Sequence, residues 1–257
     1  MSDARYDAAV VGAGSAGLNA ALVLARARRR VVVDAGEPRN ARAARMRGFL
    51  SRDGMSPAAL LKGGRTEDVL HCPYCHGYEV RDQPLGVLGT SSEAVHQALL
   101  LRQWSEDVVL FVHTLERGQE ERERLAARGV GRVEGEIKRV VADGGRVRGV
   151  ELAGGRTVPR HAVFLFRRMV PNDALLTALG RVMEDGMVVT DRTGRTAVPG
   201  VWAAGNVADP RAQVVAAAGM GSAATMAVNA DLVDEDVCRA VARYRAAAPG
   251  RAGGEAR

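Results

Sequence analysis

The strongest constraint on the fold is a glycine turn near the N-terminus. Residues 12–17 read GAGSAG, a GxGxxG motif between a short apolar strand (about residues 6–11) and an Ala/Leu-rich helix. A second strand, residues 31–34, ends in Asp34. A strand, glycine turn, helix, strand and acid in this order form the βαβ unit that binds a dinucleotide in Rossmann-type folds. The chain is therefore predicted to be an α/β protein that begins with such a unit.

Each glycine of the motif has its own task. Gly12 permits the tight turn, Gly14 lets the backbone approach a pyrophosphate, and Gly17 allows close packing of the helix on the strand. The helix N-terminus favours the phosphate charge, and the Asp34 carboxylate can accept hydrogen bonds from a ribose hydroxyl. The motif alone does not separate FAD from NAD. The residues predicted to bind the dinucleotide are Gly12, Gly14, Ser15, Ala16, Gly17 and Asp34.

A second βαβ-like unit follows from about residue 85, and its turn matches the glycine motif less well. Gly89 and the small Ala94 are retained, but Ser91 stands where a middle glycine would let a phosphate approach. After the next strand, Arg117 is the one obvious cation for a 2′-phosphate. The sequence is compatible both with a working NAD(P) site and with a turn that no longer binds nucleotide well.

The segment HCPYCHGYE holds two of the three cysteines. Zinc is disfavoured, because Cys72, Cys75, His71 and His76 are too close in sequence to converge easily as a tetrahedron. Cys238 is a distant third thiol, and no second CxxC is present. We therefore predict no metal site.

The spacing of Cys72 and Cys75 suits a redox-active pair of thiols. Two intervening residues let the sulfurs close a disulfide, and Pro73 stiffens the turn between them. A helix N-terminus, or an imidazolium from His71 or His76, could lower the pKa of one thiol. Either histidine could equally be a packing or surface residue, and the sequence does not decide between these roles.

Composition excludes several function classes. The net charge of +6 and the pI of about 9.8 suggest nucleic acid, but the arginines are interleaved with acids and aromatics make up only 4%. Nucleic-acid binding is therefore not expected, although residues 39–47 remain a weak candidate for an anionic ligand. No apolar run is long enough to span a bilayer, and no secretory signal is visible. We expect a cytoplasmic protein without a membrane partner.

Several motifs together resemble a known family. The order of GxGxxG, CxxC and the late segment AAGNV…AQVVAAAGMGSAA resembles the low-molecular-weight thioredoxin reductases of the pyridine nucleotide–disulfide oxidoreductase class. The stretch CPYCHGYE is more similar to the branch that contains the dithiol oxidases of gliotoxin and holomycin biosynthesis. The resemblance runs from Tyr6 to about Ala242.

This resemblance implies FAD as cofactor and assigns roles to residues. Cys75 would be the thiol nearest the flavin C4a atom, Cys72 would exchange with substrate, and His76 would join them as a catalytic residue. The late segment would follow the ribityl chain and turn into a helix under the flavin ring, with Asn206 where the family commonly has aspartate. The flavin contacts implied there are Gly205, Asn206, Gln213 and Val214.

The resemblance also implies the domain plan. Residues 1–67 and 160–257 would form a split, Rossmann-like FAD-type domain, and residues 68–159 an inserted, second Rossmann-like domain of NAD(P) type that bears the CxxC. In the family, a meander of strands precedes the CxxC, whereas here LLKGGRTEDVLHCPYC runs directly into it. The FAD-type domain is therefore expected to be incomplete.

The predicted function is that of an FAD-dependent thiol–disulfide oxidoreductase of thioredoxin reductase type. Its substrate would be a small-molecule or protein dithiol or disulfide, and the family implies a homodimer. NADPH is expected to contribute little, with oxygen or another disulfide accepting the electrons. The alternative is a non-catalytic remnant of the fold that serves as a binding or assembly module.

Overall fold

The structure is a computed structural model that describes residues 5–34, 36, 68–113, 118–166, 170–180, 183–184 and 186–247. The chain divides into two compact units, and each is described by itself. One consists of Met1–Asn40 with Val170–Arg257, and the other of Ala41–Met169. The basic stretch 39–47, Arg117 and the C-terminal tail lie outside the described residues. So does the segment SPAALLKGG, in which Ser56 and Pro57 predict the start of a short helix.

Strands and helices alternate along much of the chain. In sequence order they are β1 (Ala8–Val11), α1 (Ser15–Arg26), β2 (Val31–Asp34), β3 (Val69–Leu70), α2 (Pro73–His76), β4 (Leu85–Leu88), α3 (Ala94–Leu101), β5 (Val108–Phe111), α4 (Gln119–Ala127), β6 (Gly131–Val133), β7 (Ile137–Asp143), β8 (Arg146–Leu152), β9 (Thr157–Pro159), β10 (Ala162–Leu165), α5 (Ala174–Ala178), β11 (Met183–Glu184), β12 (Met187–Val188) and α6 (Val214–Ala247). The α/β prediction is confirmed.

The first unit contains the βαβ start. Strands β1 and β2 are parallel, with Ala8 opposite Val31 and Val11 opposite Asp34. Among the described residues, this sheet has two strands. Helix α1 begins directly after the glycine turn, as the motif predicts. The apolar run GVWAAGNV, residues 200–207, predicts a further strand. The structure instead has one isolated bridge there, between Arg195 and Trp202.

The Ala-rich sequence pattern predicts two helices here, at about residues 211–231 and 233–246. The structure has one continuous helix, α6. No glycine or proline follows Gly221 within it, so nothing in the local sequence breaks the helix. Arg29 also forms hydrogen bonds with the middle part of this helix. Its Nε donates to Asn229 Oδ1 at 2.9 Å, and its Nη1 donates to Asp236 Oδ2 at 2.8 Å.

The second unit is built on a parallel five-stranded sheet in the order β3-β10-β4-β5-β6. Apart from the edge strand β6, which contains Arg132, its strands are apolar, as expected for strands covered on both faces. The fully buried side chains include Leu85, Leu101, Leu110, Phe111, Leu125 and Phe164. Strand β10 therefore belongs to this sheet, whereas the sequence assigned residues from 160 onward to the first domain. The observed unit limits differ from the predicted ones accordingly.

A small antiparallel sheet, β7-β8-β9, completes the second unit. The sequence Asp143-Gly144-Gly145 predicts a tight turn between two strands, and this turn between β7 and β8 is confirmed. Asp143 pairs with Arg146, and the two glycines between them have φ values of 57° and 79°. Two consecutive positive φ values are what a two-residue hairpin of type I′ requires. Among the described helices, none is long and apolar enough to cross a membrane.

Candidate redox site

The glycine turn of the first unit leaves the start of α1 open. Gly14 caps the helix in an extended conformation without a side-chain cap, and a Cβ added there would meet no atom within 4 Å. Gly12 has a φ of 97°, and its N–H donates to the Asp34 carbonyl at 2.8 Å, which brings the end of β2 beside the turn. An uncapped helix N-terminus with open space above it is suited to an anion. These residues fit a dinucleotide pyrophosphate.

The late segment lies in the same unit and touches this turn. A Cβ at Gly205 would lie 3.0 Å from the Ala16 Cβ, so only a residue without a side chain fits this contact comfortably. Asn206 Nδ2 donates to the carbonyls of Asp209 and Ala212, at 3.0 Å each. Val214 is the first residue of α6, and the carbonyl of Gln213 accepts a bond from the Ala217 N–H. The predicted flavin-contact segments are thus neighbours in space.

The two cysteines lie at the start of α2. Cys72 is the N-cap of this one-turn helix, with a φ of −112° and a ψ of 111°, and Pro73 occupies the first helical position, which its fixed φ suits. Cys75 lies one turn on, and its sulfur donates a hydrogen bond to the Cys72 sulfur at 2.6 Å. The spacing predicted from CxxC therefore produces direct contact between the two sulfurs.

This contact changes the acidity of Cys72. The thiol of Cys75, the backbone N–H of Cys75 and the backbone N–H of Tyr74 stabilise the thiolate, while burial opposes it. Together they lower the pKa of Cys72 from 9.0 to about 7. Cys72 is therefore an activated nucleophile near neutral pH.

Helix α2 and the residues next to it pack against α3 and the turn that follows α3. Gly77 lies so close to Trp104 that a Cβ there would come 2.7 Å from the indole ring, and Tyr74 meets the same ring edge-on at 5.9 Å. Gln97, which is buried in α3, donates from Nε2 to the His71 carbonyl at 2.7 Å. Gln97 and Trp104 were not predicted from the sequence. The available signal was a polar residue on the apolar face of the predicted helix.

His71 and His76 lie on the two sides of the cysteine pair. Their ring centroids are 6.1 Å apart, with an angle of 63° between the ring planes. His71 precedes the pair in the exposed link after β3, and half-buried His76 ends α2. Among the described residues, no group of three His, Cys, Asp or Glu could hold a metal ion.

The family follows from comparison with known proteins. The model of the pyridine nucleotide-disulphide oxidoreductase family matches residues 54–221, which is well over half of the sequence. The chain belongs to this family.

Individual relatives agree with this assignment. A thioredoxin reductase of Listeria innocua is 30% identical over 168 residues, which make up 61% of this chain and 52% of the relative. A probable thioredoxin reductase of Arthroderma benhamiae is 25% identical over 185 residues, which make up 46% of this chain and 46% of the relative. The chain thus spans about half the length of these curated relatives.

Solved structures give the same result at the level of the fold. The crystal structure of HlmI superposes with a TM-score of 0.91 at 50% identity, covering 96% of this chain and 99% of that chain. A thioredoxin reductase, TrxB, from Bacillus anthracis gives a TM-score of 0.82 at 25% identity, covering 90% and 100%. The resemblance to thioredoxin reductases and to the holomycin-type branch is confirmed.

The second nucleotide turn of this family member is used for packing. A Cβ at Gly89 would overlap the carbonyl oxygen of Phe111, so this glycine permits contact between β4 and β5. Glu93 is the N-cap of α3, and the Ser92 hydroxyl donates to its carboxylate at 3.0 Å. An acidic side chain therefore occupies the end of the helix where a phosphate would have to bind.

Proposed function

We propose that this chain is an FAD-dependent thiol–disulfide oxidoreductase that uses Cys72 and Cys75 to oxidise small-molecule dithiols. The observation that carries the proposal is the contact of 2.6 Å between the two sulfurs, which accompanies a Cys72 pKa lowered to about 7. A thiolate near neutral pH, in contact with a second thiol, is what reversible disulfide chemistry needs.

The exchange balances in two steps. A substrate thiolate attacks the Cys72 sulfur of the oxidised pair, the Cys72–Cys75 bond breaks, and Cys75 leaves as a thiolate. The second substrate thiolate then attacks the substrate sulfur of the mixed disulfide, which releases the substrate disulfide and Cys72 as a thiolate. The electron pair now resides on the cysteine pair. A lowered pKa makes Cys72 a good leaving group in the second step, which supports its assignment as the exchanging thiol.

His76 is proposed to handle the protons of this exchange. It ends the helical turn that begins after Cys72, and its backbone N–H donates to the Cys72 carbonyl at 3.1 Å. Two substrate thiols must lose their protons, and an imidazole titrates in the pH range in which this occurs.

FAD would be held by the first unit. The start of α1 would receive the pyrophosphate, Asp34 the ribose, and Gly205, Asn206, Gln213 and Val214 the ribityl end. When bound, the flavin supplies two-electron chemistry that returns the cysteine pair to the disulfide and passes the electrons to oxygen or another disulfide. In this reading the first unit is the FAD-type domain and the second is a Rossmann-like domain of NAD(P) type.

NADPH is proposed to be a poor electron donor. Gly89 packs directly against the backbone of Phe111, and Glu93 places negative charge at the N-terminus of α3. Losing charge-assisted contacts of the kind a phosphate needs costs roughly 1.5–3 kcal/mol each, which lowers affinity about tenfold or more.

Small dithiols are favoured by the surroundings of the pair. Tyr74, between the two cysteines, is 68% exposed, and Tyr78 just beyond them is 64% exposed. Exposed aromatic rings beside a nucleophile offer apolar contact to a small organic ligand. The similarity to HlmI at 50% identity supports the same branch.

We propose a homodimer that forms through the C-terminal half of α6. Val233, Val237 and Val241 are exposed at four-residue intervals and form one apolar stripe. In an antiparallel pair of α6 helices centred on Val237, Val233 would face Val241 of the other copy. A surface complementary to itself in this way suits a two-fold interface.

Two measurements test the enzyme. First, the purified chain is incubated with FAD and its visible spectrum is recorded after removal of free flavin; bound flavin is expected. Second, flavin-loaded protein is mixed without air with NADPH, NADH or a small dithiol, and loss of flavin colour is followed. Dithiol is expected to bleach the flavin rapidly and NADPH slowly.

The opposite outcomes are informative. Rapid bleaching by micromolar NADPH, with none by dithiols, would contradict the oxidase proposal and indicate an ordinary reductase. Absence of any FAD uptake would favour the non-catalytic remnant, a reading that exposed Val11, Val32 and Val33 on the two-stranded sheet also supports.

A further inference from the structure

Gln97 is a polar residue in an otherwise apolar place. It lies on α3, only 4% exposed, beside the fully buried Ala94, Ala98 and Leu101 of the same helix. Burying an amide costs free energy unless it is hydrogen-bonded. The free-energy cost of burying Gln97 is therefore offset mainly by the hydrogen bonds that its two side-chain polar atoms can make.

The contact with His71 fixes the orientation of this amide. The Gln97 nitrogen lies 2.7 Å from the His71 carbonyl oxygen, and a carbonyl can only accept. The atom in contact must be the NH2 group. The Gln97 Oε1 then faces the protein interior and is buried without a hydrogen-bond partner in the described part of the chain. The bond to His71 is thus the one polar contact of this side chain that the structure records.

That bond acts on the peptide that leads into Cys72. The Cys72 carbonyl is already held from the other side, since it accepts from the N–H groups of Cys75 at 3.2 Å and His76 at 3.1 Å. The His71 carbonyl belongs to the preceding peptide plane. With both planes held, the φ and ψ of Cys72 are fixed, and so is the direction of the Cα–Cβ bond that carries its sulfur.

We propose that Gln97 is a positioning residue for the dithiol: by holding the His71 carbonyl, it keeps the Cys72 sulfur against Cys75 and over the first turn of α2. This inference rests on the proposed function of the cysteine pair. It concerns a side chain 25 residues from Cys72 in sequence, whose recorded hydrogen bond goes to the backbone rather than to a sulfur.

The position of the sulfur determines its acidity. The Cys75 thiol and two backbone N–H groups lower the pKa of Cys72, and each of these contacts weakens as the sulfur moves away. Releasing the His71 carbonyl is therefore expected to raise the pKa of Cys72 toward 9.0.

The experiment follows alkylation of reduced protein by iodoacetamide as a function of pH, without flavin or substrate. A Cys238→Ser background removes the third thiol, and mass spectrometry of peptides assigns the label to Cys72. Gln97→Met keeps the length of the side chain and removes its polar atoms. Gln103→Met, at an exposed position just after α3, is the matched control.

We expect the Cys72 rate at pH 7 to fall at least threefold in Gln97→Met and to converge with wild type at alkaline pH, since a one-unit rise in pKa costs about fivefold in thiolate at that pH. Gln103→Met should follow wild type. Thermal unfolding is measured alongside. Removing a buried amide with one unpaired atom can be nearly neutral for stability, so a purely structural role would not shift the titration.

Each alternative outcome is decisive. A wild-type midpoint near 9 would contradict the activated pair and this inference together. A wild-type midpoint near 7 that Gln97→Met reproduces would overturn only the role of Gln97. If Gln97→Met does not fold, Gln97→Leu carries the test, because leucine also has no group that can donate to the His71 carbonyl and should raise the midpoint in the same way.

Discussion

Gly221 of α6 packs directly on the backbone of Ala16 in α1, and a Cβ at position 221 would overlap the Ala16 carbonyl oxygen. Ala16 is also the residue that Gly205 approaches from the late segment. One residue of the glycine turn is thus the contact point for two parts of the chain about 200 residues away. The close approach of α1 and α6 holds the proposed flavin-binding residues together.

Gly221→Ala is therefore expected to destabilise the first unit. Backbone cannot move aside as a flexible side chain does, and overpacking of this kind costs about 1–3 kcal/mol. Gly219→Ala, in the same helix, is the control, because a Cβ there meets no atom within 4 Å. It should be neutral or stabilise by up to about 1 kcal/mol. Urea unfolding measures both, and equal effects would contradict the close contact.

Cys75→Ala is expected to raise the pKa of Cys72. The thiol of Cys75 is the largest cause of the lowered value, and alanine cannot donate a hydrogen bond. The pH at which Cys72 reaches half of its maximal alkylation rate should therefore move from about 7 toward 9.0. An unchanged midpoint would show that the sulfur contact does not set the acidity.

The same shift predicts how the stability of reduced wild type depends on pH. The folded pKa lies below the unfolded one, so between about pH 7 and 9 the unfolded chain binds more protons. Stability should rise across this interval, and the contribution should be lost as the pH falls through about 7. Chemical unfolding in reductant at several pH values measures it. In Cys72→Ser the rise should be absent.

The cysteine pair is expected to form a reversible disulfide. Free thiols are counted in denaturant before and after mild reduction, and wild type should gain two. Neither Cys72→Ser nor Cys75→Ser should gain them, whereas Cys238→Ser should behave like wild type. If the first two variants still gain two thiols, the redox assignment is wrong.

Asn206→Asp should destabilise the chain, although the family commonly has aspartate at this position. Asn206 donates to the carbonyls of Asp209 and Ala212, and a carboxylate would face both with no N–H to offer. We expect a loss of about 1–3 kcal/mol at neutral pH, smaller in acid, where a protonated carboxyl can donate one bond. Asn172→Asp, at an exposed position, is the control. Equal stability of the two variants would contradict the role of the amide.

Val237→Glu should shift the proposed homodimer toward monomer. In the antiparallel arrangement, Val237 lies on the two-fold axis, so the variant places two carboxylates against each other in an apolar stripe. Ala246→Glu adds a carboxylate at an exposed position of α6 on the face opposite Val237 and should not alter the mass. Light scattering after size exclusion gives the mass of each. A dimer that survives Val237→Glu uses a different surface.

Local sequence was enough to predict the elements that local chemistry specifies. The glycine turn of residues 12–17 fixed the order of β1, α1 and β2, because the positive φ at Gly12 and the close approach at Gly17 are demands that only glycine meets easily. The glycine pair between β7 and β8 identified its hairpin for the same reason. The two-residue spacing of Cys72 and Cys75 predicted sulfur contact, since one helical turn spans it.

Only the tertiary structure decided the features that depend on distant partners. Strand β10 pairs with β3 and β4, which precede it by more than 70 residues, so no local pattern assigned it to the second unit. Helix α6 runs on past residue 232 while Arg29 holds it from the other end of the sequence. The bond from Gln97 to His71 likewise joins residues 26 positions apart and forms only when α3 packs beside the cysteine segment. Amino-acid order encodes backbone preferences over a few residues, whereas burial and hydrogen-bond geometry are set by which segments meet.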